Sequence, residues 1–211
     1  MSTTRTTDLR PTRQDFEALA APGRTVPVCR EILADTDTPV SAYLKLREES
    51  DFTFLFESVE GGERAARYSF LGIQPSLVFR SRGQQVSIED RATGQRREFE
   101  ADPRQALREA MGNRQTVSLP GMPPFTGGAV GCLAYDGIRL VEAIPDTGTD
   151  DLGLDDMVFA LYEAILAFDN LRHTVMIIAN VEVTQTQSAE VAYGQAQARI
   201  AEGESILARP V

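Results

Sequence analysis

Alternation between apolar and polar residues marks much of the chain as short strands separated by Gly, Pro and Asp. This pattern predicts a strand wherever apolar side chains recur at every second position between turn residues. The segments that read as strands are 25–32, 51–60, 68–72, 76–83, 84–90 and 96–101. Two longer apolar runs, 157–169 and 173–183, predict an antiparallel hairpin at the centre of a sheet.

Helices are predicted where a capping residue precedes a run with helical periodicity. Thr12 and Thr38 precede two such runs, Asp102 opens a third, and the alanine- and glutamate-rich segment 187–208 forms a fourth. Strands and helices in this order indicate an α+β fold with mostly antiparallel sheets and helices outside. We expect residues 1–11 to be a flexible tail and residues 12–208 to form one domain.

Glycine and proline mark the middle of the chain as a loop followed by an unusual strand. Residues 113–127 are rich in proline and glycine, which predicts a loop. Residues 127–136, GGAVGCLAYD, predict a buried strand that tolerates three glycines. Because glycine weakens a strand, we expect another part of the backbone to approach it closely.

An excess of carboxylates gives the chain a formal net charge of −10. This charge argues against a nucleic-acid partner, because such proteins need a basic surface to replace counterions. No apolar run reaches the roughly 20 residues that a membrane-spanning helix needs. The polar N-terminus also lacks the apolar region of a secretory signal. We therefore expect a cytoplasmic protein without a membrane partner.

Cysteine and histidine are too few and too scattered to predict a metal site or a catalytic nucleophile. Cys29 and Cys132 lie outside any CxxC spacing, and His173 is the only histidine. The chain also lacks GxSxG, GxxxxGK[ST], HExxH and, after a strand, GxGxxG. We expect no metal, cofactor or catalytic residue within this chain.

Among the many carboxylates, Glu57 has the least ordinary surroundings. The aspartates of 150–156 sit among glycines and turn residues, which is typical of a solvated loop. Glu57 instead follows the apolar residues 54–56. A carboxylate in such surroundings is expected at a strand end or beside a partner, because burying it alone is costly.

Residues 54–72, FLFESVEGGERAARYSFLG, resemble a segment of the large component (component I) of anthranilate synthase. In that family an LLES motif is followed by an EGGER…RYSFLG stretch. Val26–Leu46 is similar to the family's opening strand and helix, and Gly127–Asp136 resembles its GGxxGxxxYD segment. The resemblance extends to the predicted hairpin, and it implies that the mostly antiparallel sheets pack as a sandwich.

The resemblance implies a part in tryptophan biosynthesis. The complete enzyme of this family is a chorismate-utilising lyase that makes anthranilate with ammonia from a glutamine amidotransferase subunit (component II), and it uses Mg²⁺. The family's chorismate and Mg²⁺ residues lie in a C-terminal region beyond this chain. We therefore expect the N-terminal feedback-sensing portion, catalytically inactive alone and with more exposed apolar surface than a typical monomer.

The serine of the family's LLES motif contributes to an allosteric site for L-tryptophan. The implied effector contacts in this chain are Ser58, Glu57 and Leu55, and Phe56 replaces the family's second leucine. Neighbouring side chains alternate faces along a regular strand, so Glu57 and Ser58 reach one ligand only if one uses its backbone or the strand ends. The family's proline–tyrosine–methionine segment is absent, so at most half of the pocket is present.

Three alternatives stay open. The chain could be the same portion of aminodeoxychorismate synthase component I from the folate pathway, which shares the fold and part of the pattern. It could also be a stand-alone, non-catalytic amino-acid-binding module, or a folded domain with no small ligand. The EGGER…RYSFLG stretch favours anthranilate synthase over the folate enzyme.

Overall fold

The chain forms two compact units, each with its own β-sheet. A computed structural model describes residues 8–57, 67–112, 114–145 and 148–210. The first unit consists of residues 1–74, 114–128 and 162–211. The second unit consists of residues 75–113 and 129–161.

Every predicted helix is present: three begin directly after Thr12, Thr38 and Asp102, and the fourth begins within two residues of its predicted start. The described residues form the helices α1 (Arg13–Leu19), α2 (Pro39–Arg47), α3 (Pro103–Met111) and α4 (Ala189–Leu207), and a 3-10 helix at Tyr135–Leu140. The side chains of Thr12, Thr38, Asp102 and Ser188 each accept a hydrogen bond from a first-turn amide. These caps satisfy amides that the helix itself leaves unpaired.

Eleven strands are found in the described ranges, most of them where alternation predicts a strand. They are β1 (Arg24–Leu33), β2 (Leu55–Glu57), β3 (Tyr68–Ile73), β4 (Leu77–Arg82), β5 (Gln85–Asp90), β6 (Arg96–Glu100), β7 (Gln115–Thr116), β8 (Gly128–Leu133), β9 (Met157–Tyr162), β10 (Ala164–Asp169) and β11 (Thr174–Val183). β7 lies within the segment predicted to be a loop. The predicted α+β class with mostly antiparallel sheets is confirmed.

The first unit is built on a six-stranded sheet in the order β2-β3-β10-β11-β1-β7. Its neighbouring strands are antiparallel except β1 and β7, and the predicted central hairpin is β10–β11. Leu166 lies between Leu71 and Ile177 in the register, and all three are buried in one core with Ile200 of α4. Each such aliphatic side chain stabilises the fold by about 1.5–3 kcal/mol.

The second unit is built on a five-stranded sheet in the order β6-β5-β4-β9-β8. Its core contains Phe79 of β4, Val86 and Ile88 of β5, Ala106 of α3 and Met157 of β9. The buried apolar positions of β5 alternate with exposed or half-buried polar ones. A sheet with one face on a helix gives this pattern.

The prediction of a buried strand at 127–136 is wrong. β8 lies at the end of the five-stranded sheet, and the side chains of its last three residues are exposed. The expected close approach is confirmed at Gly131, where an added Cβ would collide with the carbonyl oxygen of Val158. Gly131 therefore allows β8 to lie close to β9 at the edge of the sheet, and it does not reflect burial of the strand in a core.

The predicted first arm of the hairpin, 157–169, is two strands and not one. It breaks at Glu163, so β9 joins the five-stranded sheet and β10 joins the six-stranded sheet. The Glu163 carboxylate pairs with Arg199 of α4 and lies 3.4 Å from Arg114. A charged residue with such partners interrupts an apolar run that otherwise reads as continuous.

Part of the predicted flexible tail is held by the first unit. The backbone of Arg10 exchanges two hydrogen bonds with Cys29 of β1, at 2.9 and 2.7 Å. Residues 1–7 lie outside the described residues. Pro27 lies between Cys29, which bonds to Arg10, and Thr25, which pairs with β7. Proline has no backbone N–H, and at this position on the outer side of β1 no ladder hydrogen bond is lost.

Candidate functional site

Strand β2 carries two of the three residues that the sequence resemblance indicates. β2 pairs with β3, with Leu55 opposite Leu71 and Glu57 opposite Ser69. It is the first strand of the six-stranded sheet, so its outer edge meets no other strand in the described part of the chain. Such an edge leaves alternate backbone N–H and C=O groups available to a ligand.

The three predicted effector contacts have different surroundings. The side chain of Leu55 is half-buried and packs against the core of the first unit. Glu57 shares that face of the strand, and its side chain is exposed. Ser58 lies outside the described residues. The structure therefore brings Leu55 and Glu57 to one face, with the leucine turned to the core and the carboxylate to solvent.

The opposite face of β2 meets a set of aromatic rings, here called the aromatic cluster: Phe54, Phe56, Phe70, Phe125 and Tyr162. Phe56 lies opposite Phe70 in the register. Ring centroids are 4.8 Å apart for Phe54 and Phe56, 4.9 Å for Phe54 and Tyr162, and 5.5 Å for Phe70 and Phe125. The last two pairs are edge-on, the arrangement that the ring quadrupoles favour.

Gly72 of β3 allows two of these rings to approach the sheet. A Cβ added there would lie 2.6 Å from the Phe54 ring and closer still to the ring of Tyr162. The Tyr162 hydroxyl donates a hydrogen bond of 3.0 Å to the Phe52 carbonyl. Burial raises the pKa of Tyr162 to about 12, so the phenol stays neutral and anchors the segment before β2.

The loop that carries Phe125 is fixed to β11 by a buried side chain. Nδ2 of Asn180 donates a hydrogen bond of 2.6 Å to the Thr126 carbonyl. A Cβ on Gly127 would lie 2.6 Å from that nitrogen and 2.7 Å from the Tyr162 carbonyl oxygen. Gly127 also has a φ of 144°, which favours glycine. These contacts hold Phe125 beside Phe70.

An ion pair between Arg67 and Asp169 positions the start of β3, and each of the two groups neutralises the charge of the other. Arg67 donates two hydrogen bonds to Oδ2 of Asp169, at 3.1 and 2.6 Å, and its guanidinium carbon lies 4.8 Å from the Tyr68 ring centroid. Burial alone would raise the pKa of Asp169. The hydrogen bonds from Arg67 and from the amides of Leu171 and Arg172 outweigh burial and lower that pKa.

The acidic loop at 150–156 has a structural role. Asp155 accepts a hydrogen bond of 2.8 Å from Arg80, and Asp156 accepts one of 2.6 Å from the amide of Gly83. These contacts tie the loop to β4 and its turn, as expected for carboxylates without a catalytic partner. The acidic residues at 60 and 63 lie outside the described residues.

Two of the cavities in the described part of the chain lie away from β2. One, of about 560 Å³, is lined by Asp37, Lys45 and Glu204, among others, in the first unit. Its charged groups already pair, Lys45 with Asp37 at 2.7 Å and Glu204 with Arg30 at 2.9 Å. Another, of about 460 Å³, is apolar and lies beside the 3-10 helix of the second unit. Neither contains a predicted site residue.

Metal-binding and nucleophilic groups are not gathered in the part of the chain that the structure describes. No group of three or more His, Cys, Asp or Glu side chains there is arranged to hold a metal ion. Cys29 is buried and Cys132 is exposed, and both are free thiols. Burial raises the pKa of Cys29, which keeps its thiol protonated. No helix among the described residues is long and apolar enough to cross a membrane.

Sequence reasoning missed the aromatic cluster. The signal for two of its five rings was present, because Phe54 and Phe56 occupy alternate positions and so share a face. Phe125 gave no such signal, because it sits in a proline-rich loop far along the chain. Only the hydrogen bond between Asn180 and the next residue, Thr126, explains its place beside β3.

The chain is similar to several proteins named anthranilate synthase component 1. It is 39% identical to the one from Acetivibrio thermocellus over 173 residues, which are 82% of this chain and 35% of that protein. It is 38% identical to the one from Mycobacterium tuberculosis (strain H37Rv) over 209 residues, 94% of this chain and 39% of that protein. The chain thus spans about two fifths of the length of the curated relatives it matches.

A solved structure shares the fold. It is the crystal structure of anthranilate synthase component I from Streptococcus pneumoniae TIGR4, matched with a TM-score of 0.51 and 25% sequence identity. The match covers 85% of this chain and 37% of that one. No protein-family profile matches the sequence.

Proposed function

This chain is a homologue of anthranilate synthase component 1 over most of its own length, and from that premise we propose that it is the portion that senses L-tryptophan. In this function L-tryptophan is an effector that binds at the edge strand β2 and lowers the activity of the complete enzyme. The observation that carries the proposal is the alignment of 94% of the chain with about two fifths of its relatives, at 38% identity.

The edge of β2 suits the polar head group of an amino acid. Backbone groups on its outer edge, where the described residues place no further strand, can donate to the carboxylate and accept from the ammonium. The exposed Glu57 carboxylate can balance the ammonium charge, and the hydroxyl of a serine, as at Ser58, is able to donate and to accept a hydrogen bond. Leu55 contributes indirectly: its side chain packs against the core of the first unit and so fixes the position of the strand.

The energetics favour a site that uses both apolar and polar contacts. Burying an indole ring removes roughly 150–250 Å² from water, which is worth about 4–6 kcal/mol. A dissociation constant of about 1 mM requires about 4.1 kcal/mol after the cost of association, and 1 µM requires about 8.2 kcal/mol. Polar contacts must therefore add to the ring contacts for micromolar binding.

In the complete enzyme we propose that this portion regulates conversion of chorismate to anthranilate, with ammonia from a component II subunit. We also propose that this chain alone is catalytically inactive and that the Mg²⁺ ligands of the complete enzyme lie outside it, since the chain spans about two fifths of the length of its relatives. The two free thiols fit a cytoplasmic, reducing compartment.

Calorimetric titration of the chain with L-tryptophan tests this function. We expect saturable binding with a dissociation constant of about 1 mM or lower, and at least tenfold weaker binding in Ser58→Ala and Glu57→Gln variants. Glu100→Gln, an exposed carboxylate at the end of β6, is the matched control and should bind like the unaltered chain. Absence of binding by the unaltered chain, or equal binding by all variants, would contradict the proposal.

A further inference from the structure

The cavity of about 560 Å³ in the first unit lies at the end of α4. Its walls come from the end of β1, the loop that follows it, α2, and the last turn of α4 with the residues after that turn. A cavity of this size can hold a small organic molecule. Neither Leu55 nor Glu57 lines it, so it is separate from the candidate site at β2.

The buried ammonium of Lys45 keeps one N–H for a ligand. It donates to Oδ1 of Asp37 and to the Leu207 carbonyl, each at 2.7 Å. An ammonium carries three N–H groups, and no third acceptor is bonded to Nζ in the described ranges. A buried donor without an acceptor is costly. Because Lys45 lines the cavity, an anionic oxygen placed there can accept the third hydrogen bond.

The carboxylate of Asp37 likewise keeps one oxygen for a ligand. Its Oδ1 accepts from Lys45 at 2.7 Å and from the Ser41 hydroxyl at 3.2 Å. Among the described residues no donor is bonded to Oδ2. Both oxygens of an ionised carboxylate can accept, so Oδ2 is available to a cationic group in the cavity.

The charges that line the cavity balance one another. Its charged lining residues are two anions and two cations, namely Asp37, Glu204, Lys45 and Arg209. Glu204 and Arg209 are held from outside the cavity by ion pairs with Arg30 and Glu49. A ligand with one net charge would leave that charge without a partner, whereas a ligand with one positive and one negative group keeps the balance.

The apolar part of the lining is aliphatic. Ile32 and Leu33 of β1 and Leu207 of α4 contribute side chains to the wall. No aromatic residue is among the lining residues that the structure describes. Burial of an aliphatic group against these side chains removes apolar surface from water, so the cavity suits a short branched chain beside the two charged groups.

We propose that this cavity binds a small aliphatic amino acid. The α-carboxylate accepts from Lys45, the α-ammonium donates to Oδ2 of Asp37, and the side chain lies against Ile32 and Leu33. This inference concerns a second site and does not rest on the binding of L-tryptophan at β2. A ligand held there contacts β1, α2 and the end of α4 together.

The test uses Lys45 as a single reporter, because it is the only lysine of the chain. Isotopically labelled lysine therefore gives one set of side-chain signals in the NMR spectrum. We expect L-leucine to shift the Lys45 signals saturably, with a dissociation constant of about 1 mM or lower. Isocaproate lacks the ammonium of leucine and isopentylamine lacks its carboxylate, and each should bind about tenfold more weakly.

The variant Asp37→Asn removes the charge that recognises the ammonium and keeps an oxygen for Lys45. L-Leucine should then bind no more tightly than isocaproate, a change in preference that a merely destabilised chain would not show. Asp35→Asn is the matched control, because Asp35 is an exposed carboxylate of the same loop that does not line the cavity. It should retain the preference for L-leucine, and thermal unfolding verifies that both variants are folded.

Three results would overturn the inference: no shift of the Lys45 signals with L-leucine, equal binding of L-leucine and its two analogues, or equal effects of the two variants. None of these results bears on L-tryptophan, which is titrated separately. L-Leucine should also leave the affinity for L-tryptophan at least within threefold of its value without leucine, and direct competition between the two would place leucine at β2 and contradict a second site.

Discussion

At the scale of single residues, the aromatic cluster depends on one missing side chain. Gly72 lies in β3 between Leu71 and Ile73, which point into the core. On the opposite face, the rings of Phe54 and Tyr162 fill the space where a Cβ would be. Glycine weakens the strand itself, but here it allows two rings to pack closely against the sheet.

Replacing Gly72 by alanine should destabilise the first unit. The added methyl group would overlap two rings packed on the sheet, and overpacking of this kind costs about 1–3 kcal/mol. The free energy of unfolding measured in urea should fall by that amount. Gly194→Ala is the matched control, because Gly194 is exposed in α4 with open space around it. That variant should be about 0.5–1 kcal/mol more stable, and equal effects at the two sites would contradict this account.

The Arg67–Asp169 pair makes stability depend on pH in acid. The pKa of Asp169 is lowered in the folded chain, so its carboxylate contributes stability above its ordinary pKa of about 3.9. That contribution is lost as the pH falls through the lowered value. Asp169→Asn should therefore lower the urea midpoint at pH 7, and the difference from the unaltered chain should shrink below about pH 4.

The exposed carboxylate of Asp136 provides the comparison for this pH dependence. It pairs with Arg139 on the surface of the second unit, where solvent screens the interaction. Asp136→Asn should leave the urea midpoint unchanged within error at every pH. A difference for Asp169→Asn that stays constant from pH 7 to pH 3 would show that the charge of Asp169 is not the cause.

At the scale of elements, the end of α4 is held by a buried lysine. Lys45 of α2 is the only lysine of the chain. Its side chain is 7% exposed, and its ammonium donates to the Leu207 carbonyl and to Asp37, each at 2.7 Å. A cation at the C-terminus of a helix also interacts favourably with the helix dipole. Lys45 therefore links α2 to α4.

Lys45→Met should destabilise the chain by about 1–3 kcal/mol, because it removes the ammonium that donates to a helix-end carbonyl and to the Asp37 carboxylate. Amide hydrogen exchange should accelerate in the last turn of α4. Arg47→Met, an exposed position in the same helix, should change stability by less than about 0.5 kcal/mol. If the two variants lost equal stability, the buried contacts of Lys45 would not be the cause.

Elements encoded by local signals were predictable from the sequence. Thr12 and Thr38 cap helices through bonds to residues three positions away, so their helices could be located without tertiary information. The break at Glu163 could not be predicted, because its partner Arg199 lies in another element. The exposure of β8 depends on strand order, which no alternation pattern contains.

The candidate site was predictable only in part, because some of its contacts join residues that are far apart in the sequence. The motif at 55–58 located the strand, and alternation placed Leu55 and Glu57 on one face. The register with β3 determines that this face is the core face, and it is a long-range property. Phe125 reaches the site through the contact of Thr126 with Asn180, which is equally non-local. The Ser58 contact stays a prediction.

At the scale of the whole molecule, the two units have separate sheets and separate cores. The candidate site lies in the first unit, where β2 is an edge strand of a sheet with a continuous aliphatic core. The sheet supports the backbone and aromatic groups of this edge strand from one side. This arrangement is consistent with the proposed binding of a small amino acid at β2.

The most direct test places this chain in a complete enzyme. The matching portion of the Mycobacterium tuberculosis relative is replaced by this chain, and anthranilate formation from chorismate and ammonia is measured with increasing L-tryptophan. The account predicts an active chimera that L-tryptophan inhibits, and loss of that inhibition without loss of activity in Ser58→Ala. An active chimera that is insensitive to L-tryptophan, when the intact relative is inhibited, would contradict it.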